Sequence, residues 1–160
     1  MYKEGKEIMT KTITRMQPES HAFDDRYRLR FQPLELKPDE NGKESFVVFK
    51  CKHEIDGEEI KYLEVWDATD LPDIMTSEQI GRLSSFEQSK LFGNRRYVCM
   101  DNHGRVNFGE KLVDYLDKTK NVVTVPIIRK CKDSISKGVA VWAEKDYLKH
   151  IDPNFAGKTR

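Results

Sequence analysis

Apolar and polar positions alternate over short stretches of this chain, with turn residues between them. Over residues 26 to 31 the alternation predicts a strand with Arg26, Arg28 and Arg30 on one face and Tyr27, Leu29 and Phe31 on the other. Pro33 and Pro38 disfavour a regular helix just after it, and Asp39-Glu40-Asn41-Gly42-Lys43 reads as a turn. Phe46-Val47-Val48-Phe49 opens a strand that runs to about Ile55. Asp56-Gly57 supplies a tight hairpin turn, and Ile60 to Trp66 return. Thr76 and Gln79 have the spacing of a capping box, and Ser84 with Glu87 starts a further helical stretch ending near Gly93-Asn94. Arg95 to Met100 is a short strand into the turn Asp101-Asn102-His103-Gly104. Alternation then resumes, with His103, Arg105 and Asn107 on one face and Val106 and Phe108 on the other. Gly109 to Lys118 is helical in pattern, with Phe108, Leu112, Tyr115 and Leu116 at helical spacing. Val122 to Ile128 and Val139 to Trp142 are paired strands, and Ala143 to His150 is a short helix.

The second run of elements repeats the first. Phe23-Asp24-Asp25-Arg26-Tyr27-Arg28-Leu29-Arg30-Phe31 returns as Met100-Asp101-Asn102-His103-Gly104-Arg105-Val106-Asn107-Phe108. Val65-Trp66-Asp67-Ala68-Thr69-Asp70 returns as Val141-Trp142-Ala143-Glu144-Lys145-Asp146. Asp24 and Asp101 stand 77 positions apart, Trp66 and Trp142 76, and these are the only 2 Trp residues. The pattern predicts an α+β, mainly β fold of two tandem pseudo-symmetric repeats. The expected organisation is an N-terminal extension over 1–20, a first repeat over 21–94, a second over 95–152 and a frayed tail over 153–160. Each half is near the size at which an isolated core is marginal, so the copies are expected to form one compact domain.

Composition narrows the function. The 160 residues carry 28 Lys+Arg against 27 Asp+Glu, a net charge of +1, so nothing marks the whole chain as basic, although a local basic face is compatible with that balance. Cys51, Cys99 and Cys131 form no CxxC pair and read as reduced, buried thiols. Cys51 and His53 make only a C-x-H pair, a weak metal signal, so no metal and no cofactor is expected. No phosphate loop, Ser/His/Asp set or Cys/His pairing points to an enzyme, and no catalytic residue is assigned. The chain shows neither a signal-peptide core nor an apolar run of bilayer length, which points to a cytoplasmic, nucleoid-associated location and no membrane partner.

The sharpest chemistry is Asp-x-x-x-Arg, present as Asp24 with Arg28 and as Asp101 with Arg105. Such an Asp can accept backbone N–H bonds across its own turn and pair with the Arg, an arrangement that requires no ligand. The alternation adds a second reading. Arg26, Arg28 and Arg30, with His103 and Arg105, place donors on the solvent side of a ribbon whose other side is apolar. A two-stranded ribbon fits the DNA major groove, and Arg binds guanine edges or phosphates bidentately. Arg95 and Arg96 lie close in sequence to this element. Arg129-Lys130-Cys131-Lys132 with Lys137 reads as a basic, solvated loop, and the Trp residues as core. Lys3, Lys6, Lys11 and Arg15 are nearly offset by Glu4, Glu7 and Glu19.

On these residues the chain resembles the MraZ family of the AbrB-like swapped-hairpin group. That family is a tandem repeat with D-x-x-x-R, often D-x-x-G-R, in each half. Asp101-Asn102-His103-Gly104-Arg105 fits the fuller form, and Asp24-Asp25-Arg26-Tyr27-Arg28 keeps the Asp and Arg. Arg82-Leu83-Ser84-Ser85 is similar to a family segment between the halves, and Val141-Trp142-Ala143-Glu144-Lys145-Asp146-Tyr147 to its Trp strand and helix. The resemblance covers roughly residues 21 to 151. It implies a β-barrel core with short helices, assembly into a homo-oligomeric ring, and a transcriptional regulator that binds repeated boxes of double-stranded promoter DNA. Arg28 and Arg105 would then contact DNA, with Arg26, Arg30 and His103 beside them, while Asp24, Asp101 and Gly104 shape the turns. The chain departs from the family at Tyr27, where Gly is frequent. A bulky residue at positive φ is strained, so the first turn is expected to differ in shape from the second. That departure keeps a second function in view, an oligomeric structural or protein-interaction module that has the fold without DNA binding.

Overall fold

The computed structural model describes residues 17–30, 45–67, 77–93, 95–131 and 134–155. Their elements, in chain order, are β1 (Glu19–Ala22), β2 (Arg28–Arg30), β3 (Ser45–Ile55), β4 (Glu58–Asp67), α1 (Ser77–Gly81), α2 (Ser85–Gly93), β5 (Arg95–Cys99), β6 (Arg105–Asn107), α3 (Gly109–Tyr115), β7 (Asn121–Cys131), β8 (Ser134–Ala143) and α4 (Glu144–His150). The expected turns at 39–43, the cap at Thr76 and the prolines at 33 and 38 lie outside the described residues.

The chain is α+β and mainly strand, with an antiparallel sheet curled into a half-barrel. The sheet runs β1-β7-β8-β4-β3-β5, and β2 pairs with β6 in a separate ribbon. The long hairpins β3–β4 and β7–β8 each lie within one half of the chain; among the described residues the other four pairings of these strands cross from one half to the other, and a single bridge, Met100 to Val106, stays within the second half. The registers of the crossings follow the offsets of the sequence similarity. Leu29 faces Val106, its own counterpart 77 positions on, and Glu64 faces Ala140, its counterpart 76 positions on. β1 lies on β7 with Glu19 opposite Thr124, and β5 lies on β3 with their counterparts Arg96 and Val48 opposite each other. The first strand of each half of the chain thus lies on the long hairpin of the other half.

One face of the sheet carries the core. Phe46, Val48, Leu63, Val65, Val122, Val139 and Val141 project from it and are buried. The ribbon covers this face with Leu29 and Val106, and α3 covers it with Leu112 and Val113. Phe23 and Phe108, one from each repeat, meet edge to face at 5.5 Å. This packing anchors the ribbon, only 3 residues a strand, on the sheet. On the opposite face Trp66 is buried, while Trp142 is half-buried and stacks on Tyr62 at 4.2 Å. Gly138 stands across from Trp66, where a Cβ would lie 2.6 Å from the indole.

Several sequence expectations need correction. Glu19 and Ser20, read as extension, already belong to β1. Arg129 to Cys131 continue β7 and Lys137 lies in β8, so the basic loop is a strand hairpin. Residues 153–155 are not frayed: Phe155 packs edge-on against Tyr147 at 5.3 Å and its N–H donates to the Asp152 carbonyl. Cys51 is half-buried and Cys99 exposed rather than buried. Desolvation, first of several causes, pushes the Cys51 thiol up to about 12, so it stays protonated and unreactive. The Ser84 box forms as expected: the Glu87 N–H donates to Ser84 Oγ at 3.1 Å and the Ser84 N–H to Glu87 Oε1 at 3.0 Å.

Candidate nucleic-acid interface

Two turns flank the β2–β6 ribbon, and they are built alike. In the first, the Tyr27 N–H donates to the Asp24 carbonyl at 3.1 Å and the Asp24 N–H to the Arg28 carbonyl at 3.0 Å. In the second, Gly104 and Asp101 make the same bonds at 3.1 and 2.8 Å. The residue closing each turn is left-handed, Tyr27 at φ 63° and Gly104 at φ 77°. This is the form of a β-turn followed by a left-handed bulge residue. The expectation that Tyr27 reshapes the first turn is therefore wrong. Its side chain packs on the core and its carbonyl accepts the Phe108 N–H at 3.0 Å, contacts that hold the strained backbone in place.

The aspartates organise both turns. Asp24 Oδ1 accepts the N–H groups of Arg26 and Arg28, each at 2.9 Å, and its Oδ2 accepts Arg28 Nε at 2.7 Å. Asp101 Oδ1 accepts those of His103 and Arg105 at 2.8 and 2.9 Å, and its Oδ2 accepts Arg105 Nε at 2.9 Å. Both carboxyls are held below their ordinary value. At Asp24 desolvation pushes the other way but the N–H bonds and the Arg28 guanidinium outweigh it; at Asp101 the Arg105 N–H is the largest cause. Each Asp is thus a charged clamp that fixes its Arg through Nε and leaves the outer Nη groups uncommitted among the described residues.

Pairing Arg28 with Asn107 and Arg30 with Arg105 puts all four side chains on the outer face, above Leu29 and Val106. Arg28 and Arg105 are partly buried, with side chains 23% and 30% exposed; Arg30 and Asn107 are exposed. Arg26 and His103 sit at equivalent, exposed positions in the two turns. All eight residues singled out in the sequence, Asp24, Arg26, Arg28, Arg30, Asp101, His103, Gly104 and Arg105, are therefore brought to one ribbon and its ends.

Arg129 lies apart from this surface: its guanidinium stands over the Trp66 ring at 5.3 Å, with Glu64 Oε1 3.9 Å away. Among the described residues no group of three or more His, Cys, Asp or Glu converges on a point, and no helix is long and apolar enough to cross a membrane. Nothing in the linear pattern marks that Arg95 and Arg96 line one cavity with Lys50 and Lys111, which come from β3 and α3; the Arg95 guanidinium itself lies over the Phe92 ring at 4.1 Å. Only strand and helix placement creates that cluster. Neither a family model nor a curated protein matches this chain.

Proposed function

We propose that this protein is a sequence-specific DNA-binding regulator of the MraZ type that grips repeated promoter boxes as a homo-oligomer. The observation that carries this reading is the doubled Asp-clamped turn, with Arg28 and Arg105 related by the pseudo-twofold on one outer ribbon face. A guanidinium fixed by a carboxylate through Nε still offers two Nη groups, the fork that reads guanine or grips a phosphate. Rigid support matters as much as charge: Leu29 and Val106 seat the ribbon on the core, so the donors are placed before the ligand arrives. Near-neutral net charge fits modest single-site affinity, which repeated boxes and several subunits would multiply.

The test is polarisation of labelled duplex from upstream of the protein's own gene, at low and moderate salt. Binding should weaken steeply as salt rises. Arg105→Ala and Arg28→Ala should each reduce specific binding by roughly tenfold, the scale of one bidentate contact. Arg129→Ala should change it little, because that guanidinium is stacked over Trp66. Equal losses at Arg105 and Arg129 would sink the base-reading role.

A specific observation favours the second reading, an oligomeric interaction module. Helix α2 buries none of its residues, and Phe86, Phe92 and Tyr97 are 73%, 40% and 59% exposed on α2 and the neighbouring edge strand β5. Absence of any salt-sensitive DNA binding at micromolar protein would favour that module.

A further inference from the structure

We propose that the cavity between β3, β5 and α3 is a phosphodiester-binding site that anchors the DNA backbone beside the ribbon; this rests on the DNA-binding reading above. The cavity is about 100 Å³ and is lined by Lys50, Arg95, Arg96, Lys111, Gly93 and Leu112. Four of its six lining residues are cations and none is a carboxylate. Among the described residues, none of these four takes part in an ion pair. Lys61 extends the cluster: its Nζ and that of Lys50 lie 5.4 and 5.7 Å from the centre of the Tyr115 ring. Tyr115 is fixed in turn by donating its hydroxyl to the Cys51 carbonyl at 2.8 Å. Glu59, on the same hairpin, lies 3.9 Å from Lys52.

Like charges drawn together in a concavity repel one another, and a tetrahedral oxyanion with several acceptor oxygens removes that repulsion. The fold does not require cations here. By the offsets of the sequence similarity, Arg96 corresponds to Glu19 and Lys50 to Pro126, so the equivalent pairing of β1 with β7 carries an acid and a proline where this one carries two cations. Glu19 there faces His21 at 3.3 Å. Among the described residues, the cations of this cavity have no counterparts at the two equivalent positions Glu19 and Pro126.

Position links the cavity to the ribbon. β6 ends at Asn107, whose Oδ1 accepts the Gly109 N–H at 2.9 Å. Arg96 Nη1 reaches that same turn, 3.2 Å from where a Cβ on Gly109 would lie. Arg28 stands across from Asn107 on the ribbon. A duplex lying on Arg28 and Arg105 would therefore run its backbone toward Arg96 and Lys111. The phosphate contact would fix orientation and add affinity for any sequence, while the ribbon supplies discrimination.

The test compares the full chain with an Arg96→Gln, Lys111→Gln double variant, both positions being exposed. The readout is the slope of log affinity against log salt, for a specific and for a scrambled duplex. Each phosphate contact contributes about 0.9 to that slope. The double variant should flatten it by about 1 to 2 and weaken both duplexes by the same factor, whereas Arg105→Ala should act on the specific duplex alone. A second arm titrates inorganic phosphate into protein without DNA and follows the Arg96 and Lys111 amide resonances. Shifts in the wild type that the double variant lacks support an oxyanion site. An unchanged salt slope in a wild type that binds DNA overturns the proposal and leaves the regulator reading standing. Phosphate shifts with an unchanged slope assign the cavity to free phosphate and likewise overturn it. A wild type with no salt-sensitive DNA binding overturns both readings. Should the double variant lose its circular-dichroism spectrum, Lys111→Gln alone, on the exposed side of α3, reads the slope.

Discussion

Tyr27 and Gly104 occupy the same left-handed position, and only one of them is a glycine. A side chain there costs about 1 kcal/mol or more, and Tyr27 offsets that by packing on the core. Gly104→Val, with no such compensation, should lower stability by about 1–2 kcal/mol in urea denaturation. Tyr27→Gly should cost less than about 1 kcal/mol, because relief of strain offsets lost contact. A larger loss for Tyr27→Gly than for Gly104→Val would contradict this balance. The two clamps also set a pH dependence. Asp24 and Asp101 have folded values below their ordinary 3.8, so their contribution to stability is fully present above 3.8 and is lost as pH falls through the lowered values. Carboxyl carbon resonances of both residues should titrate below pH 3.8 in the folded chain. Midpoints above that value would remove the clamps from the account.

Among the elements, the hairpins carry the most local information. Asp56 and Gly57 both have positive φ, 51° and 80°, the turn that an Asp-Gly pair between alternating runs predicts. The Ser84 box starts α2 for an equally local reason, and Gln88 Nε2 ties it back to the carbonyls of Ile80 and Leu83 at 3.2 and 3.1 Å. Trp66 is different. Its indole lies over Gly138 on the neighbouring strand, and its Nε1 donates to Glu64 at 3.1 Å. At the equivalent place Trp142 meets Tyr62 and stacks on it instead. Gly138→Ala should therefore displace the Trp66 ring and destabilise by about 1–3 kcal/mol, the usual range for an overfilled site. Near-UV circular dichroism should change with it; an unaltered spectrum and stability would show that the ring yields freely.

At the scale of the molecule, interleaving governs folding. Among the described residues, the pairings β1–β7, β2–β6, β3–β5 and β4–β8 all join one half of the chain to the other. An isolated hairpin is at best marginal in water. Residues 17–94 and 95–155 expressed separately should each lack dispersed amide resonances as monomers, and mixing them should restore the native spectrum. A monomeric, well-dispersed half would refute the interdependence. Among strand-rich topologies this one has many long-range pairings, which also predicts folding slower than that of helical proteins of this size.

The features legible in the linear chain are local: the strand alternation, the Asp-Gly hairpin, the Ser84 cap and the repeated Asp-x-x-x-Arg that builds each turn. Those features depend on neighbours within a few residues, so a linear pattern records them. Tertiary structure alone decided the rest. It placed the first strand of each half on the other half's hairpin, because hydrogen-bonding partners 46 to 54 positions apart in β3–β5 and 99 to 105 apart in β1–β7 leave no local signature. It forced Tyr27 into the glycine conformation, because core packing and the Phe108 bond outweigh a steric preference. And it gathered Lys50, Arg96 and Lys111 from two strands and a helix into one cavity, charges that a chain of net +1 spreads out in sequence and only packing brings together.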